Sequence, residues 1–267
     1  MTVFQAIALG IIQGLTEFLP VSSSAHLALT PWLLGWEAPG LAFDVALHTG
    51  TLAAVLWYFR RDWADLARAA WATLARRRAD TLESRRLGYI VIATIPGGLA
   101  GLLLDDIAET HFRAPALIAS LMMAMGIVLW LVDWKSSQLR SLEEMRWTDA
   151  VVIGLAQVVA LLPGVSRSGA TISAGLATGF DRASAARFSF LMSMPITLAA
   201  IVLKMPDAVA QRGLDAPLFA GILASGISGW LAISVLLRYV SGHTYGVFAI
   251  YRLVVGALVL IVVAARG

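Results

Sequence analysis

The sequence predicts an all-α integral membrane protein with an inverted-topology repeat, six spanning helices and two re-entrant helix–loop–helix hairpins. Three observations favour this fold: the composition, two apolar regions that are interrupted near their middles, and the similarity of those regions. Of the 267 residues, 59% are apolar and only 14% are charged, and the mean hydropathy is +0.79. Soluble domains carry about 25% charged residues, so a soluble fold, a disordered chain and a nucleic-acid-binding protein are excluded. The lack of cysteine excludes a disulfide framework and a thiolate metal site.

Six stretches are predicted to be spanning helices, because each approaches the roughly 20 apolar residues that a membrane crossing requires. They cover residues 43–59, 87–104, 115–134, 188–204, 217–238 and 246–265. Residues 1–267 are therefore predicted to form a single membrane domain, with repeat one at about 1–134 and repeat two at about 149–267.

Two further apolar regions, residues 2–34 and 149–180, are interrupted by proline, glycine and hydroxyl residues. The interruptions run from Pro20 to Ser24 and from Pro163 to Gly169. Irregular backbone at membrane depth is tolerated only against protein or a water-filled cavity, because its polar groups need partners. Each region is therefore predicted to be a re-entrant hairpin.

The two interrupted regions match each other at a constant spacing of 144 residues, which favours an internal duplication. A second match follows, because Thr51 to Ala54 recurs as Thr197 to Ala200. The matched pairs of the first set include Ala6 with Ala150, Gly10 with Gly154, Gln13 with Gln157, Val21 with Val165, Ser22 with Ser166 and Ser24 with Ser168.

The charged loops predict the orientation, since arginine-rich and lysine-rich loops stay in the cytoplasm. Loop 60–86 contains eight arginines and is placed inside, as is the basic loop 135–148, whereas the acidic loop 105–114 is placed outside. Three spans separate the hairpins, which then enter from opposite faces and meet near the bilayer midplane, with both termini outside. With Trp63 and Trp71, loop 60–86 resembles an amphipathic helix that lies at the membrane interface, where its arginines can contact anionic headgroups.

Gln13 and Glu17 are four residues apart and so share one face of a predicted helix. A carboxylate within an apolar span costs about 2.5–3.5 kcal/mol on insertion scales, so Glu17 needs a partner or a watery cavity. Arg167 in the second interruption is the expected partner, and its planar guanidinium suits a phosphate or a carboxylate. Two structural alternatives stay open: Glu17 caps the nearby break, or the ion pair only joins the two hairpins.

Hydroxyl groups and an imidazole complete the candidate site, which suits phosphoryl transfer because that reaction depends on positioning and charge stabilisation. His26 follows the first serine run and suits proton transfer near neutral pH. His48 is interpreted as a hydrogen-bonded core residue, and His111 and His243 receive no role. The hydroxyl residues are Ser22, Ser23, Ser24, Ser166, Ser168 and Thr171.

The two interruptions resemble the motifs of the bacterial undecaprenyl pyrophosphate phosphatases, a bacitracin-resistance family. Gln13 to His26 resembles the first motif, and Pro163 to Thr171 resembles the second. The resemblance implies that the chain removes the terminal phosphate of the polyprenyl pyrophosphate lipid and so recycles the lipid carrier of cell-wall synthesis. It also implies a divalent cation, Mg²⁺ or Ca²⁺, and a place in the bacterial cytoplasmic (inner) membrane, with the active site opening to the outer face.

Carried over residue by residue, the resemblance makes Glu17, His26, Ser23 and Arg167 catalytic, with Glu17 also a candidate metal ligand. Ser23, or a water in its place, is expected to attack with His26 as base, while Glu17 orients His26 or the metal. Gln13 is no departure, since the family accepts Glu or Gln there. The implied substrate-binding residues are Gln13, Ser22, Ser24, Ser166, Ser168 and Thr171.

A flippase or transporter of the polyprenyl phosphate is the alternative function, because inverted repeats with broken helices are typical of transporters. A purely structural or channel-forming protein would leave Glu17, His26 and Arg167 without a chemical reason to converge. The glycines at 97–98 and 226–229 allow close helix packing, either inside one subunit or in a homodimer.

Overall fold

The computed structural model describes residues 1–76 and 81–266. Arg77 and Arg78, two of the arginines in the predicted basic loop, lie outside the described residues. The side chains of Arg76, of the acidic residues between 105 and 109 and of His111 also lie outside the described part. The contribution of these groups to orientation therefore stays a sequence-based prediction.

The described residues form eleven α-helices and one short 3-10 turn, with no strand, which confirms the all-α prediction. The backbones of Arg140 and Phe180 form an isolated β-bridge that is not part of a strand. The helices are α1 Val3–Phe18, α2 Ser23–Leu34, α3 Leu41–Tyr58, α4 Arg60–Arg76, α5 Leu82–His111, α6 Pro115–Lys135, α7 Trp147–Val159, α8 Arg167–Ala177, α9 Arg182–Arg212, α10 Ala216–Val240 and α11 Gly246–Arg266, and the 3-10 turn is Leu142–Glu144.

Five of the described helices, α5, α6, α9, α10 and α11, are long and apolar enough to cross a membrane. Helices α3 and α4 form a bent pair, with an angle of 79° at Phe59, that is a sixth candidate. Every predicted span therefore coincides with a helix, and the chain has the features of an integral membrane protein.

Two segments that connect predicted spans are largely helical in the structure. In the first, loop 60–86, helix α4 confirms the predicted amphipathic helix, and α5 already begins at Leu82. The predicted outer loop 105–114 is wrong over most of its length, because α5 continues to His111. Residues 102–111 contain neither glycine nor proline, the residues that commonly end a helix, so the helix continues through this polar segment.

Glycines allow the closest helix contacts, chiefly between α1 and α10. A Cβ atom added to Gly14 would lie 2.0 Å from Ser228 Oγ and 2.4 Å from the Ser225 carbonyl oxygen. A Cβ atom added to Gly226 would lie 3.2 Å from the carbonyl oxygen of Gly50 on α3. The glycine-rich part of α10 is thus packed inside the chain.

The two interruptions separate α1 from α2 and α7 from α8, and they share a backbone geometry. Ser22 and Ser166, which match at the spacing of 144 residues, have φ values of +78° and +74°. Such values are uncommon for residues other than glycine. Each serine caps the following helix, since its Oγ accepts from the backbone N–H of Ala25 at 3.4 Å or of Gly169 at 3.1 Å.

A buried carboxylate joins three helices at another position. Asp133 on α6 accepts from Arg182 Nε on α9 at 2.6 Å and from the Tyr245 backbone N–H, just before α11, at 2.9 Å. The Tyr245 hydroxyl in turn donates to the Arg182 carbonyl at 3.1 Å. Asp133 is 3% exposed, so this network fixes α6, α9 and α11 relative to one another.

Candidate active site

Glu17 is the centre of the candidate active site. It lies in the last turn of α1 and is 7% exposed. Its Oε2 accepts from Ser23 Oγ at 2.6 Å and from Gln13 Nε2 at 3.0 Å. Its Oε1 accepts from Arg167 Nη2. The structure therefore brings the predicted carboxylate and guanidinium of the two interruptions into direct contact.

Ser23 and Arg167 occupy matching positions, since each is the first residue of the helix that follows an interruption. Both nevertheless contact the same carboxylate, that of Glu17. The N-termini of α2 and α8 therefore meet at this site, and each end carries the partial positive charge of a helix dipole. This arrangement suits the binding of an anion.

Arg167 is held from a second side by α9. Its Nη1 donates to Thr197 Oγ1 at 2.7 Å and to the Ser193 carbonyl at 3.2 Å. The Arg167 side chain is still 21% exposed, and it lines a small open cavity with Glu17 and Thr51. Thr51 and Thr197 belong to the second sequence match, and neither lies in the two motifs that predict the site.

The three serines of the first interruption differ in their contacts. Only Ser23 donates to Glu17. Ser22 is buried and lies with its Oγ 3.2 Å from Ser24 Oγ, while Ser24 is exposed. Of these three serines, Ser23 is therefore the one that contacts the carboxylate to which Arg167 also binds.

The hydroxyl residues of the second interruption mostly bind protein groups. Ser166 Oγ and Ser168 Oγ are 3.2 Å apart, and Ser168 Oγ also donates to the Leu19 carbonyl at 3.2 Å. Thr171 Oγ1 lies 2.7 Å from Ser189 Oγ on α9. These side chains join the two interruptions and fix α8, so they shape the region around Arg167.

His26 lies on α2, one turn beyond Ser22. Its Nδ1 donates to the Ser22 carbonyl at 2.6 Å, and its Nε2 is 2.8 Å from the Tyr251 hydroxyl on α11. The His26 and Tyr251 rings are also stacked, with centroids 5.7 Å apart. Among the described contacts, His26 has no hydrogen bond to Glu17 or Ser23, so Glu17 orients Ser23 and Arg167 rather than this imidazole.

His48 contacts the site, in contrast to its interpretation as a core residue. Its Nε2 is 3.5 Å from Glu17 Oε2, and its Nδ1 is 2.9 Å from the Asp44 carbonyl. The contact depends on how α3 packs against α1, which no local sequence pattern specifies.

Arg252 on α11 is a second residue that the motifs do not contain. It is 0% exposed, and among the described residues its guanidinium donates to four backbone carbonyls: Met122 at 2.8 Å, Pro20 at 3.0 Å, Gly164 at 2.7 Å and Val165 at 3.0 Å. It thus joins both interruptions to α6. An arginine inside the predicted span 246–265 was a signal that could have identified it, because a charge at membrane depth needs a reason.

The residues around Glu17 fit the divalent cation that the sequence resemblance implies. Gln13 Oε1 is buried and has no hydrogen-bond partner, so an acceptor stands free next to the carboxylate. In the described part of the chain, no three His, Asp, Glu or Cys side chains converge. A cation here would therefore depend on phosphate oxygens for the rest of its ligands, as Mg²⁺ often does.

Comparisons with known proteins identify one matching family and several relatives of similar length. The family model described as bacitracin resistance protein BacA matches residues 6–258. A protein named undecaprenyl-diphosphatase from Gemmatimonas aurantiaca is 60% identical over 266 residues, which cover 100% of each chain. Proteins of the same name from Desulforudis audaxviator and Pelotomaculum thermopropionicum are 48% and 47% identical; each match covers 100% of this chain, and 100% and 98% of the respective relative.

Proposed function

The chain belongs to the bacitracin resistance protein BacA family, and on this basis we infer that it hydrolyses undecaprenyl pyrophosphate to undecaprenyl phosphate and inorganic phosphate. The observation that carries this function is the Glu17 carboxylate, which accepts from a serine hydroxyl and from a guanidinium at once. This cluster supports the proposal, because Ser23, Glu17 and Arg167 are suited to act as nucleophile, proton acceptor and phosphate-binding cation. The flippase considered as an alternative has no support among the relatives, whose names describe a diphosphatase.

In the proposed reaction, Arg167 binds the terminal phosphoryl group and stabilises the charge that develops on its oxygens. Ser23 Oγ, or a water that Ser23 orients, attacks the terminal phosphorus. The bond between that phosphorus and the bridging oxygen breaks, and undecaprenyl phosphate leaves. Glu17 Oε2 receives the proton of the nucleophile, because it already accepts the Ser23 hydroxyl at 2.6 Å. If Ser23 is the nucleophile, water then hydrolyses the phosphoserine.

His26 is proposed to supply or remove a further proton. Its Nδ1 is fixed by the Ser22 carbonyl, so Nε2 is the atom available for transfer. The Tyr251 hydroxyl at Nε2 occupies a position that a substrate oxygen could take. Gln13, Ser22, Ser24, Ser166, Ser168 and Thr171 complete the proposed substrate-binding surroundings.

A divalent cation, Mg²⁺ or Ca²⁺, is proposed to be held by Glu17 and Gln13 next to the substrate. It would neutralise part of the pyrophosphate charge. Treatment with EDTA is then expected to reduce phosphate release, and re-addition of the ion is expected to restore it. Full activity in EDTA would remove the cation from the proposal.

The two interrupted regions are proposed to be re-entrant hairpins of an inverted repeat in the inner membrane, with the site open to the outer face. The matched geometry of Ser22 and Ser166 supports the repeat. Because the sequence has no cysteine, Arg68→Cys on α4 and Arg113→Cys between α5 and α6 can each report one face of the membrane. A maleimide that cannot cross membranes is expected to label only Arg113→Cys in intact spheroplasts, and labelling of Arg68→Cys instead would reverse the orientation.

The function is tested by phosphate release from undecaprenyl pyrophosphate by purified protein in detergent, without a gradient. Arg167→Ala and Ser23→Ala are expected to lose turnover while they keep a cooperative unfolding transition. Ser120→Ala is the matched control, because Ser120 is an exposed serine on α6 that bonds only to the Ala116 carbonyl among its described contacts. Near-normal turnover in Arg167→Ala would contradict the mechanism.

A further inference from the structure

His48 is next to the catalytic carboxylate, but the proposed reaction does not use it. Its Nδ1 faces the Asp44 carbonyl oxygen at 2.9 Å, and a carbonyl can only accept a hydrogen bond. Nδ1 therefore carries a proton, and Nε2 is the ring nitrogen that can bind an ion. Nε2 faces Glu17 Oε2 at 3.5 Å, a distance longer than an ordinary N–H···O hydrogen bond.

Gln13 adds a third electron-rich atom to the same cluster. Its amide nitrogen donates to Glu17 Oε2 at 3.0 Å, which leaves its Oε1 without a partner. Gln13 is 0% exposed, so bulk water does not reach this oxygen. Buried acceptors normally have a donor or an ion beside them, so this oxygen is available to such a partner.

The distance between His48 Nε2 and Glu17 Oε2 is compatible with a shared cation. Ligand atoms bound to one divalent ion at ordinary bond lengths lie roughly 3.0–3.5 Å apart, which includes the observed separation of His48 Nε2 and Glu17 Oε2. Arg167 binds the other carboxylate oxygen, Oε1, whereas Oε2, which also accepts from Ser23 and Gln13, is the oxygen that faces the imidazole.

The contacts of His26 differ from those of His48. His26 also donates from Nδ1 to a carbonyl, that of Ser22, but its Nε2 faces the Tyr251 hydroxyl, which can donate. The hydrogen bonds of His26 are complete without an ion. Of these two histidines, only His48 directs Nε2 toward a carboxylate.

We propose that His48 Nε2, Glu17 Oε2 and Gln13 Oε1 form a divalent-cation site in which His48 is a ligand outside both sequence motifs. Carboxylate and carbonyl oxygens suit Mg²⁺, Ca²⁺ and Mn²⁺ alike, so Mn²⁺ serves as a probe ion for the nitrogen ligand at the site proposed for Mg²⁺ or Ca²⁺. The proposal rests on the proposed function in one respect, because substrate phosphate oxygens would complete the coordination.

The test measures metal binding directly, on the full-length protein in detergent after removal of metals with EDTA. Mn²⁺ is added, and electron spin echo spectroscopy detects whether a nitrogen atom is bound to it. Wild type is expected to show nitrogen coordination. His48→Gln, which offers an oxygen in place of the nitrogen, is expected to lose that signal and to bind Mn²⁺ about tenfold to a hundredfold more weakly. Its affinity for Ca²⁺ is expected to change much less.

His243→Gln is the matched control, because His243 is exposed at the end of α10 and stacks on Tyr239. It is expected to keep the wild-type nitrogen signal and Mn²⁺ affinity. Unfolding midpoints measured without metal show whether His48→Gln is folded, and His48→Asn provides a second variant if it is not. Bound Mn²⁺ without nitrogen coordination in wild type, or equal Mn²⁺ affinity in wild type and a folded His48 variant, would overturn the site. Phosphate release by wild type is measured separately, so failure of the proposed function and failure of the metal site are distinguishable.

Discussion

Replacing Arg252 by methionine would test how the two interruptions are held together. Methionine keeps much of the side-chain length but none of the donors, so the four carbonyls that now bind the guanidinium lose their partner. An unsatisfied buried acceptor costs about 1–3 kcal/mol, although removal of a buried charge offsets part of the total. We expect a net loss of about 1–3 kcal/mol, because the carbonyls lose their donor while no charge is left buried without a partner.

The measurement is thermal unfolding in detergent, followed through tryptophan fluorescence, together with phosphate release. Arg266→Met is the matched control, because Arg266 also lies on α11 and donates to two carbonyls, those of Trp32 and Leu33, but from an exposed position. Its substitution is expected to lower stability by less than about 1 kcal/mol. If Arg252→Met unfolded at the same temperature as Arg266→Met and kept its turnover, the guanidinium would not be what joins the interruptions.

Three further predictions concern packing, a buried network and the imidazole. Gly14→Ala is expected to lower the unfolding midpoint strongly, because a Cβ atom there meets α10 at 2.0 Å, whereas Gly88→Ala, with no atom within 4 Å, should leave it unchanged or slightly higher. Asp133→Ala is expected to cost about 1–3 kcal/mol in unfolding experiments, since it leaves the partly buried Arg182 guanidinium and the Tyr245 backbone N–H without their acceptor. Tyr251→Phe keeps the ring stacked on His26 but removes the hydroxyl, so turnover should fall severalfold with an unchanged midpoint, and unchanged turnover would separate Tyr251 from the reaction.

The positions of the helices and the meeting of Glu17 with Arg167 were predictable from sequence. Apolar runs and their proline and serine interruptions are local signals that directly reflect the membrane environment. A carboxylate and a guanidinium inside apolar regions both need partners, and each was the best partner available to the other. The structure confirms that contact.

The rest of the site depends on packing between distant segments. His48 and Thr197 reach the cluster because α3 and α9 pack beside α1 and α8, which no pattern within either helix specifies. His26 was expected beside Glu17, but its bond to the Ser22 carbonyl directs the ring toward α11. Arg252 could have been found, because the reasoning applied to Glu17 applies equally to an arginine within an apolar span.

The matched positions of Ser23 and Arg167 divide the proposed catalytic groups between the two halves of the chain. At the spacing of 144 residues, the counterpart of Glu17 is Leu161. The second half therefore supplies the Arg167 guanidinium but no matching carboxylate, and the first half supplies the Glu17 carboxylate but no matching guanidinium. A gene fragment that encodes either half would therefore yield an inert polypeptide, however well it inserted. Co-expression of the two fragments as separate polypeptides could restore turnover only if they reassembled around the shared carboxylate.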